Sequence, residues 1–219
     1  MADGDEIALS FHDSLLRLSD LRLLEGPRWL NDKIIGFAFE YLEREQFCDF
    51  SDDVCFISPE VTQFIKLSPA SDLGIFLEPL NLHNKKFIFL AVNDNESCDS
   101  VGGSHWSLLV FDRNKGQFGH YDSAGHGNSR IASSLSNKLS TFIKVGPEVK
   151  CVDMDCSQQQ NSYDCGLFVI CNTECLCAQL LRGSQVSVKQ AVTQDTVSRK
   201  RDQLRTLIVS LGNRGKEKS

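Results

Sequence analysis

One cysteine stands where the chain changes from a polar loop to an apolar, helix-like pattern. Cys165 follows the polar stretch 158–164 and precedes the apolar run 167–171. A helix that begins near Cys165 aims its first unpaired backbone N–H groups and the positive end of its dipole at the sulfur. These groups stabilise a thiolate, which is the nucleophilic form of cysteine. On this stretch alone, a small buried thiol fits the pattern equally well.

The neighbours of Cys165 add two features that suit attack on a carbonyl group. Gly166 brings no side chain that would shield the thiol from the carbonyl carbon. Gln159 lies in the incoming loop, from which its amide N–H can reach a developing oxyanion. Together with the backbone N–H of Cys165, it predicts an oxyanion hole with two donors.

A cysteine nucleophile needs a base, and the base needs a group that orients it. His105 stands at the start of one predicted strand, and Asp122 stands at the end of the next, with a turn signal between them. An antiparallel hairpin turning about Asn114 and Lys115 pairs Asp122 with Ser107. Asp122 is then the diagonal neighbour of His105 on the same face, with Cβ atoms roughly 7 Å apart. The spacing therefore predicts a hydrogen bond between the imidazole and the carboxylate.

Four other histidines compete with His105 as the base: His12, His83, His120 and His126. His120 lies two residues before Asp122 and shares its face of the predicted strand, so the pattern alone leaves it open. His126 lies in a glycine-rich loop.

The elements that must position these residues predict an α+β fold. Short strands and turns are expected over 7–24, and the near-continuous apolar run 85–93 predicts a strand buried on both faces. Asn31 or Asp32 can cap a helix, and Ser58 with Pro59 begins another that runs to about Leu67. Further helices are expected at about 71–77, 129–144, 165–181 and from 193 onward, with a short strand over 149–152. The basic face of the last helix indicates a solvated surface rather than a docking patch.

Length and composition limit the classes of protein. The 219 residues predict one domain, with a core over about 7–211 between a short polar N-terminus and a basic tail. A net charge of −6 argues against nucleic acid as a partner, and we expect neither a membrane segment nor a signal peptide. Nine irregularly spaced cysteines favour reduced thiols in cytoplasm or nucleus. Cys171, Cys175 and Cys177 lack a second pair at zinc-ligand spacing, so we expect no metal and no cofactor.

The order His105, Asp122, Gln159, Cys165 resembles the Ulp/sentrin-specific cysteine protease family. The matching motifs are Trp-Leu-Asn-Asp at 29–32, Gly-Ser-His-Trp at 103–106, His-Tyr-Asp-Ser at 120–123 and Gln-Gln-Asn-Ser-Tyr-Asp-Cys-Gly at 159–166. They cover about residues 10–180 in the order of the family. The resemblance is closest to the short deneddylase type, which acts on a Nedd-type modifier. It implies a papain-like fold of the Ulp type, with a mixed central sheet flanked by helices and the nucleophile at a helix N-terminus.

The resemblance also implies a substrate site and a reaction. Trp29 and Trp106 become the walls of a channel that admits an extended Gly-Gly tail, and Asp32 either binds the tail backbone or serves only as the helix N-terminal charge. From the sequence alone, a hydrophobic plug at the helix entry is the favoured interpretation of Trp29, and the resemblance reverses this preference. The implied substrates are precursors and lysine conjugates of a ubiquitin-like modifier, Nedd-type first and SUMO second, with cullins among the conjugates and a monomeric enzyme. A non-catalytic modifier-binding module is the alternative, and the complete His/Asp/Gln/Cys set speaks against it.

Overall fold

A computed structural model of the chain describes residues 5–97, 102–146 and 149–216. Its centre is a mixed sheet of five strands in the order β3-β4-β5-β6-β7. The outer pairs β3–β4 and β6–β7 are parallel, and the inner pairs β4–β5 and β5–β6 are antiparallel. The strands are β3 Val54–Ile57, β4 Phe87–Asn93, β5 Trp106–Asp112, β6 Gln117–Tyr121 and β7 Lys150–Asp153.

Strand β4 shows why its sequence is almost entirely apolar. All seven of its residues are buried, because the sheet has a hydrophobic core on each face. Phe87, Phe89 and Ala91 pack into one core, and the alternating Ile88, Leu90 and Val92 pack into the other. The predicted strand with two buried faces is therefore confirmed.

Helices cover both faces of the sheet. The core on one face includes side chains of α2 Asp32–Tyr41, α6 Cys165–Arg182 and α8 Gln194–Lys216. The core on the other face includes α3 Pro59–Leu67, α4 Gly74–Leu77 and α5 Ser129–Phe142. The expected mixed sheet flanked by helices is confirmed, as are the approximate bounds of α3, α5, α6 and α8. The segment predicted as one helix over 71–77 is divided into a 3₁₀ turn, Ala70–Asp72, and α4.

Local signals in the sequence explain several helix ends. The side chain of Asn31 accepts a hydrogen bond from the backbone N–H of Ile34 at 3.1 Å and caps α2. Ser58 caps α3 in the same way through Val61 N–H, with Pro59 in the first turn. Helix α6 ends at Gly183, whose φ of 72° lies in the left-handed region.

The short strands expected in the N-terminal segment form a hairpin, with β1 Ile7–Phe11 antiparallel to β2 Ser14–Arg17. The short helices α1 Leu18–Arg22 and α7 Val188–Ala191, and strand β3, are not among the sequence predictions. Residues 98–101, which include Cys98, lie outside the described residues.

Helix α6 is long and apolar enough to cross a membrane by length and composition alone. Length and composition are weak evidence for a membrane span, so the expectation that the chain has no membrane segment stays a prediction. In this fold, 61% of the helix is buried, and the core helix of a soluble protein passes the same test.

Candidate active site

The β5–β6 hairpin brings His105 and Asp122 together. Leu108 pairs with Tyr121 in the register that the turn predicts, so the predicted register is confirmed. His105 immediately precedes β5 and Asp122 immediately follows β6, which places both at the same edge of the sheet. His105 Nε2 lies 2.6 Å from Asp122 Oδ1. The diagonal contact therefore forms as the spacing predicts.

Cys165 lies on the opposite side of the His105 imidazole from Asp122. It is the first residue of α6 and is 2% exposed. Its thiol lies close enough to the His105 imidazole to contribute to the raised pKa of that histidine. Because Nε2 of His105 faces Asp122, Nδ1 is the ring nitrogen that remains for the sulfur. The structure thus brings together three residues that lie 17 and 43 positions apart along the chain.

The environment favours a charged His105. Its burial works against the charge, but the hydrogen bonds and charges of Asp122 and Cys165 outweigh burial and raise the pKa of His105 to about 9. Burial likewise opposes ionisation of Asp122, and the hydrogen bonds from His105, Asn128 and Ala124 lower its pKa to about 2. The carboxylate therefore stays ionised beside the imidazole at neutral pH.

Backbone groups hold the Asp122 carboxylate in place. The N–H of Ala124 donates to Oδ1 at 2.9 Å, and the N–H of Asn128 donates to Oδ2 at 3.0 Å. The Asn128 side chain donates to Ser107 Oγ at 3.1 Å and ties this turn to β5. No local sequence signal marks Asn128, because its contribution depends on the fold of the 122–128 loop.

Trp29 and Trp106 stand on the same groove as Cys165 and His105. The groove has a volume of about 630 Å³, and Asp32 lies on its wall with both tryptophans. Trp29 donates its indole N–H to the Ser162 carbonyl at 2.6 Å, and Trp106 donates to the Leu30 carbonyl at 3.1 Å. These bonds orient both rings at the groove.

The surroundings of Trp29 and Asp32 help to separate a role in substrate binding from a purely structural role at the start of α2. Trp29 is 49% exposed, which does not fit a hydrophobic plug at the helix entry. Asp32 lies in the first turn of α2, where its carboxylate accepts only from the backbone N–H of Lys33 among the hydrogen bonds of the described residues. Its position therefore suits the helix dipole and also leaves it available at the groove.

Comparison with known proteins shows the family. Residues 28–211 match the Ulp1 protease family, C-terminal catalytic domain. This chain belongs to the Ulp1 family of cysteine proteases. It is 50% identical to human sentrin-specific protease 8 over 212 residues, which are 96% of this chain and 100% of that protein. It is 34% identical to NEDD8-specific protease 1 of Arabidopsis thaliana, over 96% of this chain and 95% of the relative.

The solved structures support the same fold. The C-terminal Ulp1 protease domain in complex with Smt3, the yeast ortholog of SUMO, superimposes with a TM-score of 0.75. The match covers 94% of this chain and 87% of that chain at 22% identity, and it therefore shows the fold alone. The predicted Ulp-type α+β fold is confirmed.

Two of the competing histidines of this Ulp1-family chain, His120 and His126, lie beside Asp153. His120 is fully buried, with Nδ1 2.7 Å from Asp153 Oδ1 and Nε2 2.9 Å from Ser107 Oγ. Both of its ring nitrogens are therefore used in a structural network. His126 is exposed, with Nδ1 3.6 Å from Asp153.

Gln159 holds its own loop together. Its Nε2 donates to the Asn161 carbonyl at 2.6 Å, and its Oε1 accepts from Ser123 Oγ at 2.9 Å. Its backbone N–H also donates to the Ser123 carbonyl. The amide has a second N–H, which leaves one donor for an oxyanion. The predicted role of Gln159 stays a prediction.

The packing around Gly166 gives a further reason why this position holds a residue without a side chain. A Cβ at this position would lie 3.1 Å from Leu30 Cβ and 3.2 Å from Ile35 Cδ1. The missing side chain therefore lets the start of α6 pack closely against Leu30 and the first turn of α2. The same packing sets the distance between Cys165 and the segment that carries Trp29.

The described residues contain no group of three His, Cys, Asp or Glu side chains that could hold a metal ion. Burial raises the pKa of Cys171 to about 12 and raises that of Cys177 as well. Both thiols are packed in the core.

Proposed function

We propose that this chain is a NEDD8-specific protease that cleaves after the C-terminal Gly-Gly of the modifier. The observation that carries the chemistry is the contact of Cys165 with His105 at a helix start, with Asp122 behind the imidazole. The modifier is inferred from relatives: the Arabidopsis relative, matched over nearly its whole length, is named a NEDD8-specific protease.

The first chemical step is activation of the sulfur. His105 Nε2–H donates to Asp122, which holds the tautomer in which Nδ1 can accept the thiol proton. The ionised carboxylate stabilises the resulting imidazolium, and a His105 pKa of about 9 means that this proton transfer favours the thiolate–imidazolium pair at neutral pH. The thiolate of Cys165 remains beside the unpaired N–H groups at the start of α6.

The sulfur then attacks the carbonyl carbon of the last glycine. The backbone N–H of Cys165 and the free N–H of Gln159 receive the oxyanion, and each such donor is typically worth about 10²–10³ in turnover. His105 returns its proton to the leaving amine, which is a peptide nitrogen in a precursor and a lysine nitrogen in a conjugate. Water, deprotonated by His105, releases the acyl group and regenerates the thiol.

The groove supports an extended, glycine-ended substrate. Trp29 and Trp106 are held by carbonyl hydrogen bonds on the wall that also contains Cys165. We propose that the Gly-Gly tail lies between the two indoles, and that Asp32 binds its backbone N–H groups. All of these groups come from one chain, and we propose a monomeric enzyme that acts in cytoplasm or nucleus, with cullins among its conjugates.

Hydrolysis of modifier substrates tests the proposal. NEDD8, SUMO and ubiquitin, each with a fluorogenic amine on the terminal glycine, are compared by kcat/KM with wild type and Cys165→Ala. We expect NEDD8 to be preferred by about tenfold or more and Cys165→Ala to be inactive. Cys48→Ala, which removes an exposed free cysteine, is the control and should match wild type.

Two outcomes would contradict the proposal. A preference for the SUMO substrate would assign a SUMO protease. Saturable binding of a modifier without turnover would assign a non-catalytic binding module.

A further inference from the structure

A buried arginine from the C-terminal helix reaches the residue that precedes the nucleophile. Arg201 of α8 is 8% exposed and Asp164 is 3% exposed. Arg201 Nη2 donates to Asp164 Oδ1 at 2.8 Å. The guanidinium also donates to the Leu23 carbonyl at 2.7 Å and to the Arg28 carbonyl at 3.0 Å. One side chain therefore joins α8, the start of α6 and the segment that leads to Trp29.

The other oxygen of Asp164 is held equally firmly. Oδ2 accepts from Asn161 Nδ2 at 2.7 Å and from Gln194 Nε2 at 2.8 Å. Gln194 also accepts from the backbone N–H of Gln160. Both carboxylate oxygens are thus directed toward α8 and the incoming loop.

This arrangement is unusual for an aspartate at the N-cap of a helix. An N-cap aspartate normally accepts a hydrogen bond from the second or third N–H group of its helix. Asp164 makes no such bond: its backbone (φ −93°, ψ 2°) is not the extended conformation of a capping residue, and only its carbonyl takes part, accepting from Phe168 N–H at 2.9 Å. The first N–H groups of α6 are therefore not used by the side chain that would ordinarily take them.

We propose that Arg201 is a positioning residue for the reaction at Cys165. It holds the Asp164 carboxylate away from the start of α6, so that the N–H groups there stay available to the thiolate and the oxyanion. Without Arg201, Oδ1 loses its cationic partner, and the uncompensated charge of the Asp164 carboxylate lies next to the sulfur and opposes the thiolate. The inference rests on the proposed function, because it concerns the same nucleophile and the same oxyanion donors.

The test combines Arg201→Met with Asp164→Ala. Active sites are titrated with an electrophilic modifier probe, so that kcat is measured per folded enzyme. We expect Arg201→Met to lower kcat about 10- to 100-fold, as small displacements of reacting groups do. Adding Asp164→Ala removes the freed carboxylate and should restore kcat to within about threefold of wild type. Any rise in KM from the lost Leu23 and Arg28 contacts should remain.

A second readout does not depend on the modifier. The rate at which iodoacetamide alkylates Cys165 at neutral pH should fall in Arg201→Met and recover in the double variant. Arg205→Met is the matched control, since Arg205 lies one turn further along α8 in an exposed ion pair with Glu25. It should leave both rates unchanged.

The proposal is overturned if Arg201→Met keeps wild-type kcat per titrated site, or if the double variant is as slow as the single one. A purely structural role would lower only the titrated fraction or the unfolding temperature. If Arg201→Met fails to fold, Gln194→Leu serves instead and should give a several-fold lower kcat that Asp164→Ala again reverses. An inactive wild type would contradict the proposed function rather than this inference.

Discussion

Asp122→Asn tests how the carboxylate controls the imidazole. Oδ1 of Asp122 faces both His105 Nε2 and the Ala124 N–H, and Oδ2 faces the Asn128 N–H. An asparagine has only one acceptor oxygen for these donors. If its nitrogen takes the place of Oδ2, it opposes the Asn128 N–H. If the nitrogen takes the place of Oδ1, it opposes Ala124 and donates to Nε2, which moves the His105 proton to Nδ1.

The magnitude follows from these two orientations. In each orientation the amide N–H group of the asparagine faces another N–H donor. The side chain at this position is 1% exposed, so water cannot satisfy these donors, and we expect a loss of about 1–3 kcal/mol in the free energy of unfolding. The second orientation presents a protonated Nδ1 to Cys165 and abolishes the base. The same substitution in serine protease triads lowers kcat about 10⁴-fold, and we expect a loss between about 10² and 10⁴ here.

The assay is turnover of the fluorogenic NEDD8 substrate, with urea unfolding of the same samples. Asp153→Asn is the matched control, because Asp153 accepts from His120 Nδ1 at 2.7 Å in a second His–Asp pair. It should keep kcat within about threefold of wild type, as it contacts neither Cys165 nor His105. A kcat for Asp122→Asn within about tenfold of wild type, in folded protein, would refute the reasoning.

Three further predictions concern the groove and the base. Trp29→Ala should lower kcat/KM about tenfold or more. It should cost no more than about 1 kcal/mol of stability, since Trp29 is 49% exposed and its indole makes one hydrogen bond. An unchanged kcat/KM would contradict the proposal that Trp29 contacts the Gly-Gly tail of the substrate. Gly103→Ala should lower the free energy of unfolding by roughly 1–3 kcal/mol, because φ of Gly103 is +92° and a Cβ there would lie 2.0 Å from Asn93 Oδ1. An unchanged urea midpoint would show that the turn relaxes without strain. The pKa of His105 is raised from 6.5 to about 9, so its stabilising charge is complete below pH 6.5 and is lost as the pH rises through about 9. The free energy of unfolding should decline across that interval, less so in Asp122→Asn, and an equal decline in both would count against the pairing.

The parts of the site that follow from local rules could be predicted from the sequence. The turn about Asn114 and Lys115 sets the hairpin register, and the two-residue period of strands then places Asp122 diagonal to His105. The start of α6 at Cys165 follows from the change of pattern there. These features depend on residues that are close together in the sequence, so one sequence is enough to predict them.

The parts that depend on distant packing could not be predicted. Arg201 and Asp164 lie 37 residues apart on different elements, and the basic face of α8 gave no sign that one arginine turns inward. Gly166 has its role only because Leu30 packs against it. His120 differs from His105 only through the fold, which directs its ring nitrogens to Asp153 and Ser107.

Strand β3 could not be predicted for a different reason, its length. Val54–Ile57 is a strand of four residues, too short for its pattern to separate a buried strand from a helical turn. It is recognisable only from its parallel pairing with β4.

The most direct test of the account is the site of covalent capture by a NEDD8 probe with a C-terminal electrophile. Peptide mapping of the adduct should find the probe on Cys165 alone among the nine cysteines, with labelling lost in Cys165→Ala and strongly slowed in His105→Ala. An adduct on another cysteine, or labelling at an unchanged rate without His105, would contradict the claim that these residues form the catalytic site.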